Sequence, residues 1–430
     1  MSEKKTRREF LQQSAGTAAG FWVLGGSALA ATKSPNEKLG VAVVGVANRG
    51  GANLNGVAGE SIVALCDVDE KLAAGARARF PKAVFEADYR RVVARKDIDA
   101  VVVSTTDHTH APITMRALKA GKHVYCEKPL THSVYEARLV AETTAKMQRV
   151  TQMGTQIHAG TNYRRVVELI QSGAIGSVEE VHCWVGGAWT GGGDRPTDTP
   201  PVPQGLHWDC WLGPAPQRPY HPAYHPAKWR GWWDFGGGTT GDMACHHMDL
   251  PYWALDLRHP LTVEAEGPPV HAESAPAWLK VQYAYPARKN KPAVKLTWYN
   301  GEKQPRYFAE GKLPKWGSGS LFVGSKGMLL ADYNQYKLLP EKDFEGFQPP
   351  APFIANSIGH HREWIEACKT GGKTTCNFDY SGALTEAVLL GNVAYRSGQK
   401  LEWDAKKLKI TNAPEAMKYL RRPYRKGWAL

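Results

Sequence analysis

Two short stretches of this chain carry side chains suited to moving a proton to or from a hydroxyl group. The first is Tyr125-Cys126-Glu127-Lys128-Pro129, which follows an apolar run with the texture of a strand. A lysine at the C-terminal end of a strand in an open α/β sheet stands where such sheets place their ligands. There it can hydrogen-bond a substrate hydroxyl and, if burial lowers its pKa, relay a proton. The second is Gly241-Asp242-Met243-Ala244-Cys245-His246-His247-Met248-Asp249. On a helix, Asp242 and His246 are four residues apart and share a face. A carboxylate beside an imidazole orients it and stabilises its protonated form, as a general base taking a hydroxyl proton requires. His247 points elsewhere, and no clear third ligand accompanies the pair, so no metal site is expected. Taken alone, Glu127-Lys128 reads equally as a surface pair before a proline turn, and Asp242 and His246 as a helix cap and a core histidine.

A phosphate cradle precedes both. Gly45-Val46-Ala47-Asn48-Arg49-Gly50 follows the first strand and opens a helix, in the pattern G-x-A-x-x-G. The first glycine permits a tight turn and the last a close helix–strand approach. A pyrophosphate would then rest on the helix N-terminus, where free N–H groups and the helix dipole favour anions. Asp67 ends the second strand, 22 residues after Gly45, where an acid meets the ribose hydroxyls of a dinucleotide. A carboxylate there repels a 2′-phosphate and favours NAD over NADP; Asp69 is the fallback for that role, and Arg49 is placed to contact phosphate.

The elements that position these groups alternate strand and helix over residues 39–130, with a further helix after them. Strands are expected at Leu39–Val44, Ser61–Cys66, Ala100–Ser104 and His123–Cys126. Helices are expected up to Val57 and over Lys71–Phe80, Ala111–Ala120 and Ser133–Met147. This alternation predicts a parallel, doubly wound Rossmann sheet spanning residues 38–158. Beyond about residue 175 the texture changes. Val178–Trp184, Leu261–Glu266, Leu279–Tyr285, Val294–Trp298 and Ser320–Val323 read as strands of an open, mostly antiparallel sheet within an α+β domain over residues 159–427. Helices near 360–370 and 381–396 close the chain.

Lys4, Lys5, Arg7 and Arg8, the apolar stretch Ala15–Leu29 and Ala28-Leu29-Ala30 have the order of a twin-arginine signal peptide over residues 1–30, which predicts a periplasmic or otherwise exported protein. That stretch is too short and Gly-rich to span a membrane, and no later run is long enough, so no stable membrane insertion is expected after export. The leader carries a net +2, so its removal takes the formal charge from +13 to +11. This charge suits acidic glycans or a membrane surface. The basic residues are scattered, which argues against nucleic acid, apart from the run at 418–426, which reads as a solvated tail or a subunit contact. Seven cysteines without a C-x-x-C argue against a zinc knuckle or a dense disulfide framework. Buried free thiols are expected, with Cys368 and Cys376 a pair whose spacing alone decides nothing.

Residues 186–241 are rich in Gly, Pro and Trp, and a long irregular excursion of this kind is usually functional. Trp184, Trp189, Trp208, Trp211, Trp229, Trp232 and Trp233 account for seven of the 15 tryptophans. Indoles suit the C–H face of a sugar ring, and they equally pack a long loop against a sheet. His207, Asp209, Tyr220, His221, Tyr224, His225 and Arg230 supply polar groups nearby.

Gly45-x-Ala47-x-x-Gly50, Asp67, Glu127-Lys128-Pro129 and Asp242-x-x-x-His246, in this order, resemble the glucose–fructose oxidoreductase/inositol dehydrogenase (Gfo/Idh/MocA) family. The resemblance covers residues 38–427. It implies NAD(P)-dependent chemistry on a sugar or cyclitol, and a homodimer or homotetramer. It also implies that Lys128 holds the reacting hydroxyl, with His246 as acid or base and Asp242 in support. The segments around Asp107–His110 and Gly154–Gln156 correspond to those lining the nicotinamide. The cofactor set expected on this basis is Gly45, Ala47, Asn48, Arg49, Gly50, Asp67, Thr105, His108, Glu127, Lys128 and Gln156, holding a tightly bound NAD. The expected substrate set is His110, Tyr163, Trp208, Trp211, Tyr224, Trp232 and His247. Two other activities fit the same motifs: a redox-neutral NAD-dependent glycoside hydrolase, and a non-catalytic carbohydrate-binding protein.

Overall fold

The computed structural model describes residues 37–430 apart from 191, 289 and 290; the leader expected at 1–30 lies outside the described residues. In the first domain, strands β1 (Gly40–Val44), β2 (Ser61–Cys66), β3 (Val84–Glu86), β4 (Ala100–Val103), β5 (His123–Cys126) and β6 (Thr151–Met153) are all parallel, in the order β3-β2-β1-β4-β5-β6. Helices α1 (Arg49–Val57), α2 (Glu70–Arg79), α3 (Tyr89–Val93), α4 (Asp107–Lys119) and α5 (Val134–Met147) connect them. β1 and β4 are buried throughout, as apolar strands covered on both faces must be. The strand order reverses between β1 and β4, and ligands of open α/β sheets bind outside the carboxyl ends of the strands at such a point.

Local chemistry sets the helix starts. The Asp69 side chain accepts the N–H groups of Lys71 and Leu72 and so caps α2. Ser133 and Glu136 form a capping box at α5, so Ser133 is the cap rather than the first helical residue. Residues 107–110, which precede the helix expected from Ala111, are the first turn of α4.

The second domain opens with α6 (Thr161–Gln171) and β7 (Val178–Val185), and then the irregular excursion, which holds the short α7 (Trp208–Leu212). Next come α8 (Gly238–His247), α9 (Asp249–Leu255), β8 (Thr262–Glu266), β9 (Leu279–Tyr285), β10 (Val294–Asn300), α10 (Arg306–Ala309), β11 (Ser318–Gly324), β12 (Gly327–Ala331) and β13 (Tyr336–Leu339). The chain ends with α11 (His360–Thr370), α12 (Phe378–Ser397), β14 (Leu401–Asp404) and β15 (Lys409–Ile410). Nine strands make one sheet, β13-β12-β11-β7-β10-β9-β8-β14-β15, antiparallel except where β7 and β10 run parallel. This is the expected class: a parallel Rossmann sheet followed by a mostly antiparallel one. α12 is buried almost all round and packs against α5, α8 and β8, joining the two domains. α11 returns to the first domain, where Trp364, Ile365 and Cys368 share a core with Val41, Val43 and Leu54.

The C-terminal run is not a solvated tail. Pro112 lies inside α4 and has no N–H for the His108 carbonyl one turn earlier. The Arg422 guanidinium donates to that carbonyl and to Glu136 (2.9 Å), and Trp428 packs on Tyr89 beneath Arg90. All seven cysteines are free, Cys368 and Cys376 both buried. No helix among the described residues is long and apolar enough to cross a membrane.

Candidate active site

The glycine turn after β1 is shaped by close backbone approach. Gly45 has φ +82°, and a Cβ there would lie 2.5 Å from the Ser104 carbonyl oxygen; a Cβ on Gly50 would lie 2.0 Å from the Gly45 carbonyl oxygen. A side chain at either position would separate α1 from the sheet. The turn opens onto a cavity of about 440 Å³, a size usual for small-molecule and cofactor sites. Gly45, Ala47, Asn48, Arg49, Asp67, Thr105, Glu127, Lys128 and Trp211 line it, as expected from sequence. Gly50 stands beneath the turn. Asp67 is fixed at the wall by the N–H groups of Val46 (2.9 Å) and Asp69 (3.0 Å). The bare turn, the helix N-terminus and a carboxylate at the end of β2 fit a dinucleotide. Asp69 does not serve as the fallback acid: it caps α2 and accepts from His225 (2.9 Å).

Glu127 organises the turn after β5. Its Oε1 accepts from Arg49 Nε (2.9 Å), Asn53 Nδ2 (2.9 Å) and Gln156 Nε2 (2.7 Å). Arg49 is therefore anchored to a carboxylate through Nε, while its half-exposed guanidinium stays on the cavity wall. Gln156 also donates to the Tyr125 hydroxyl (2.8 Å) and lies off the cavity wall, so it supports the site instead of lining it. Asn53, which the sequence reading missed, is wholly buried and takes a hydrogen bond from His361 (2.9 Å). The signal was there: it is a polar residue on the inward face of α1, between Gly50, Leu54 and Val57.

The Lys128 ammonium donates to Asp242 Oδ1 and, at 3.3 Å, to the Asp242 carbonyl. Arg230 Nε approaches the same Oδ1 at 3.4 Å. Burial works against the Asp242 charge, but Arg230 and Lys128 outweigh it and hold the carboxyl below its ordinary range. Asp242 thus serves Lys128 and Arg230, not the His246 ring expected from the i,i+4 spacing; that spacing gives a shared face, and two cations from other segments claim the carboxylate. His246 is half-buried, with no hydrogen bond from either ring nitrogen among the described residues. Burial, then Lys128 and His247, push its pKa well below 6.5, so the ring is neutral. Lys128 lines the cavity; Asp242 and His246 stand behind that lining.

Several expected contacts fall elsewhere. His108 is buried between Trp211 and Phe235, with Nε2 on the Trp211 carbonyl (2.8 Å), and burial lowers its pKa to about 3. Both ring nitrogens of the buried His110 face carbonyl oxygens, Pro129 at 2.7 Å and Thr105 at 3.1 Å, so both donate and the ring is a cation. Burial opposes that charge, but Cys126, Asp107 and the Pro129 carbonyl raise the pKa to about 9. His110 thereby ties the loop of Lys128 to the end of β4 and does not face the cavity. Tyr163 is buried and donates to the His246 carbonyl (3.1 Å). His247 is buried and stacked on Tyr333 (5.1 Å). Trp208 stacks on Trp211 (4.5 Å), and Tyr224 and Trp232 pack with Phe235 in the same aromatic cluster. These large rings hold the excursion together. Of the named tryptophans, Trp189, Trp211 and Trp229 reach the cavity.

The excursion forms the outer wall of the cavity. His207 N–H donates to the Val68 carbonyl (2.8 Å), Glu70 N–H to the Gly205 carbonyl (3.0 Å), His225 pairs with Asp69, and Arg230 pairs with Asp107 (2.9 and 3.1 Å). His225, Trp229 and Arg230 all line the cavity from this side. Elsewhere His158, Asp249 and Cys376 converge. His158 Nδ1 and the Tyr380 hydroxyl are both bonded to Asp249, which makes this a structural tie.

A Rossmann domain whose glycine turn faces a cavity walled by a second α/β domain is the architecture of a dinucleotide-dependent two-domain protein. Residues 39–155 match the model of an oxidoreductase family's NAD-binding Rossmann fold, and residues 159–315 that of the same family's C-terminal alpha/beta domain. The chain belongs to the Gfo/Idh/MocA oxidoreductase family. An inositol 2-dehydrogenase of Rubrobacter xylanophilus is 33% identical over 150 residues, 34% of this chain and 43% of that protein. A glycosyl hydrolase family 109 protein of Solibacter usitatus is 31% identical over 195 residues, 41% of this chain and 44% of that protein. The match thus spans less than half the length of either relative. The WlbA dehydrogenase from Chromobactrium violaceum, solved with NADH and UDP-GlcNAcA, has the same fold, with TM-score 0.60 and 18% identity over 86% of this chain and 97% of that one.

Proposed function

We propose that this chain is an exported NAD-dependent oxidoreductase acting on a hydroxyl of a sugar, polyol or glycoside. The observation that carries the reading is Lys128 on the wall of the dinucleotide cavity, hydrogen-bonded to an ionised Asp242 behind it, with a neutral His246 one helical turn on. When bound, NAD supplies the hydride acceptor or donor. Lys128 holds the reacting oxygen, Asp242 orients the ammonium, and His246 takes up or returns the hydroxyl proton. Asp67 favours NAD over NADP, because its carboxylate would face a 2′-phosphate. The tethered outer wall supports a tightly held cofactor, since release requires those contacts to part. Export rests on Arg7-Arg8 and Ala28-Leu29-Ala30, and the homodimer or homotetramer on the family resemblance.

A second reading, redox-neutral cleavage of a glycoside, is favoured by the similarity to the family 109 glycosyl hydrolase. A ketone formed transiently on the ring acidifies the neighbouring C–H and allows elimination of the glycosidic oxygen. One experiment separates the two. The mature chain is purified without added nucleotide, its bound NAD(H) is measured, and polyols and aryl glycosides are supplied. Accumulated NADH with a keto product supports the dehydrogenase; released aglycone at constant NAD redox state supports the hydrolase. Neither, with NAD added, overturns both and leaves a binding role.

A further inference from the structure

Arg230 belongs to the outer wall yet bonds into both halves of the reaction centre. Its Nη1 reaches Asp107 at the start of α4, at 2.9 and 3.1 Å. Its Nε reaches Asp242 Oδ1 on α8, the same oxygen that Lys128 holds. Its guanidinium lies 4.2 Å above the Trp229 ring. Asp107 is 1% exposed and Arg230 lines the cavity. Two cations and two carboxylates, from four separate segments, therefore close on one another only when the excursion is seated. A fork-shaped, permanently charged side chain can bridge two carboxylates in this way, whereas a lysine presents a single point charge.

We propose that Arg230 is a positioning residue that couples seating of the outer wall to the Lys128–Asp242 pair. With Arg230 in place, Asp242 is anchored from the excursion side and Lys128 is held against it. Without it, Asp242 keeps Lys128 as its one partner, the wall loses its ion pair with α4, and the Lys128–Asp242 pair opens to solvent. The geometry stands apart from the function proposed above, but its catalytic meaning rests on that reading.

The test is the rate at which Lys128 in the full chain, loaded with NAD, is acetylated by acetic anhydride, read by mass spectrometry. Arg230→Gln is expected to raise that rate on the order of tenfold, the factor that corresponds to one charge-assisted hydrogen bond. Arg230→Lys restores part of the protection. His207→Ala removes the side-chain contact of His207 Nε2 with Glu70 (2.9 Å), a wall tether outside the cavity, and leaves Lys128 protected. Because Arg230→Gln leaves Asp107 buried and unpaired, the double variant Asp107→Asn/Arg230→Gln is measured beside it and is expected to show the same rise. Unchanged Lys128 labelling in the folded variants, or an equal rise in His207→Ala, overturns the coupling. Turnover at saturating NAD should fall with Arg230→Gln. Increased labelling with no polyol or glycoside turned over by the parent chain would keep the positioning role and remove the functional reading.

Discussion

Removing one tether of the outer wall should accelerate loss of the cofactor by a calculable factor. His225 Nε2 and Asp69 Oδ2 are 2.9 Å apart, with side chains 9% and 16% exposed. A hydrogen bond to a charged group contributes about 1.5–3 kcal/mol, and the residual solvent contact argues for the low end. About 1.4 kcal/mol is tenfold in rate or affinity, so His225→Ala should release NAD roughly ten times faster. Asp69 also caps α2, so Asp69→Ala would confuse two effects. Asp69→Asn keeps a good cap and removes the charge, and should fall between parent and His225→Ala. The assay follows the loss of bound NAD from the loaded protein after dilution into an NAD-consuming enzyme. The tether has a pH signature as well. Burial raises the Asp69 pKa, but His225 and the N–H groups of Leu72 and Lys71 outweigh it and bring the carboxyl below its ordinary range. Its contribution is therefore full above the unfolded carboxylate range and lost only as pH falls through the lower folded value. Release rates in His225→Ala indistinguishable from the parent would refute the idea that this wall retains the cofactor.

Three further outcomes follow from the same structure. Gly50→Ala puts a methyl group 2.0 Å from the Gly45 carbonyl oxygen, and isothermal titration should find NAD binding abolished while the fold persists by circular dichroism. His108 and His360 have pKa values lowered by burial to about 3, and His123 and His247 to about 4. The folded chain then binds fewer protons than the unfolded one below about pH 6.5, so stability is complete above that value and falls towards pH 4. Each histidine contributes up to about 1.4 kcal/mol per pH unit, and a flat denaturant midpoint between pH 6.5 and 4 would contradict this. Arg422→Ala leaves the His108 carbonyl unpaired and the buried Glu136 with only the Tyr424 hydroxyl and the N–H groups of His132 and Ser133, at a cost of about 1.5–3 kcal/mol that urea unfolding should register.

Much of the fold could be read because it is local. Apolar runs such as 40–44 and 100–103 are buried as expected, and Ser133-x-x-Glu136 caps α5 through contacts three residues apart. The three-residue strands β3 and β6 escaped, since such short segments carry no periodicity. So did β12 to β15, short strands of which β12, β13 and β15 pair with the strand just before them and β14 reaches back to β8. At the site, Gly45, Asp67 and Lys128 line the cavity because a βαβ unit fixes where strand ends and glycine turns lie. Trp208, Tyr224 and Trp232 pack inside the excursion, because an indole or phenol that can stack on a ring carries no local mark of whether that ring is protein or sugar.

Residue type and spacing by themselves determined the two-domain class, the phosphate-binding turn, the acid at the end of β2 and the presence of lysine, aspartate and histidine for proton transfer. Each of these depends on neighbours within one strand–turn–helix unit. Tertiary structure alone decided which carboxylate meets which cation. Asp242 lies four residues from His246 but 114 from Lys128, and it bonds to the lysine. It also decided that the excursion returns over the Rossmann crevice and brings Arg230 to Asp107. Charges pair by distance in space, and at this site Lys128 with Asp242 and Arg230 with Asp107 join different domains.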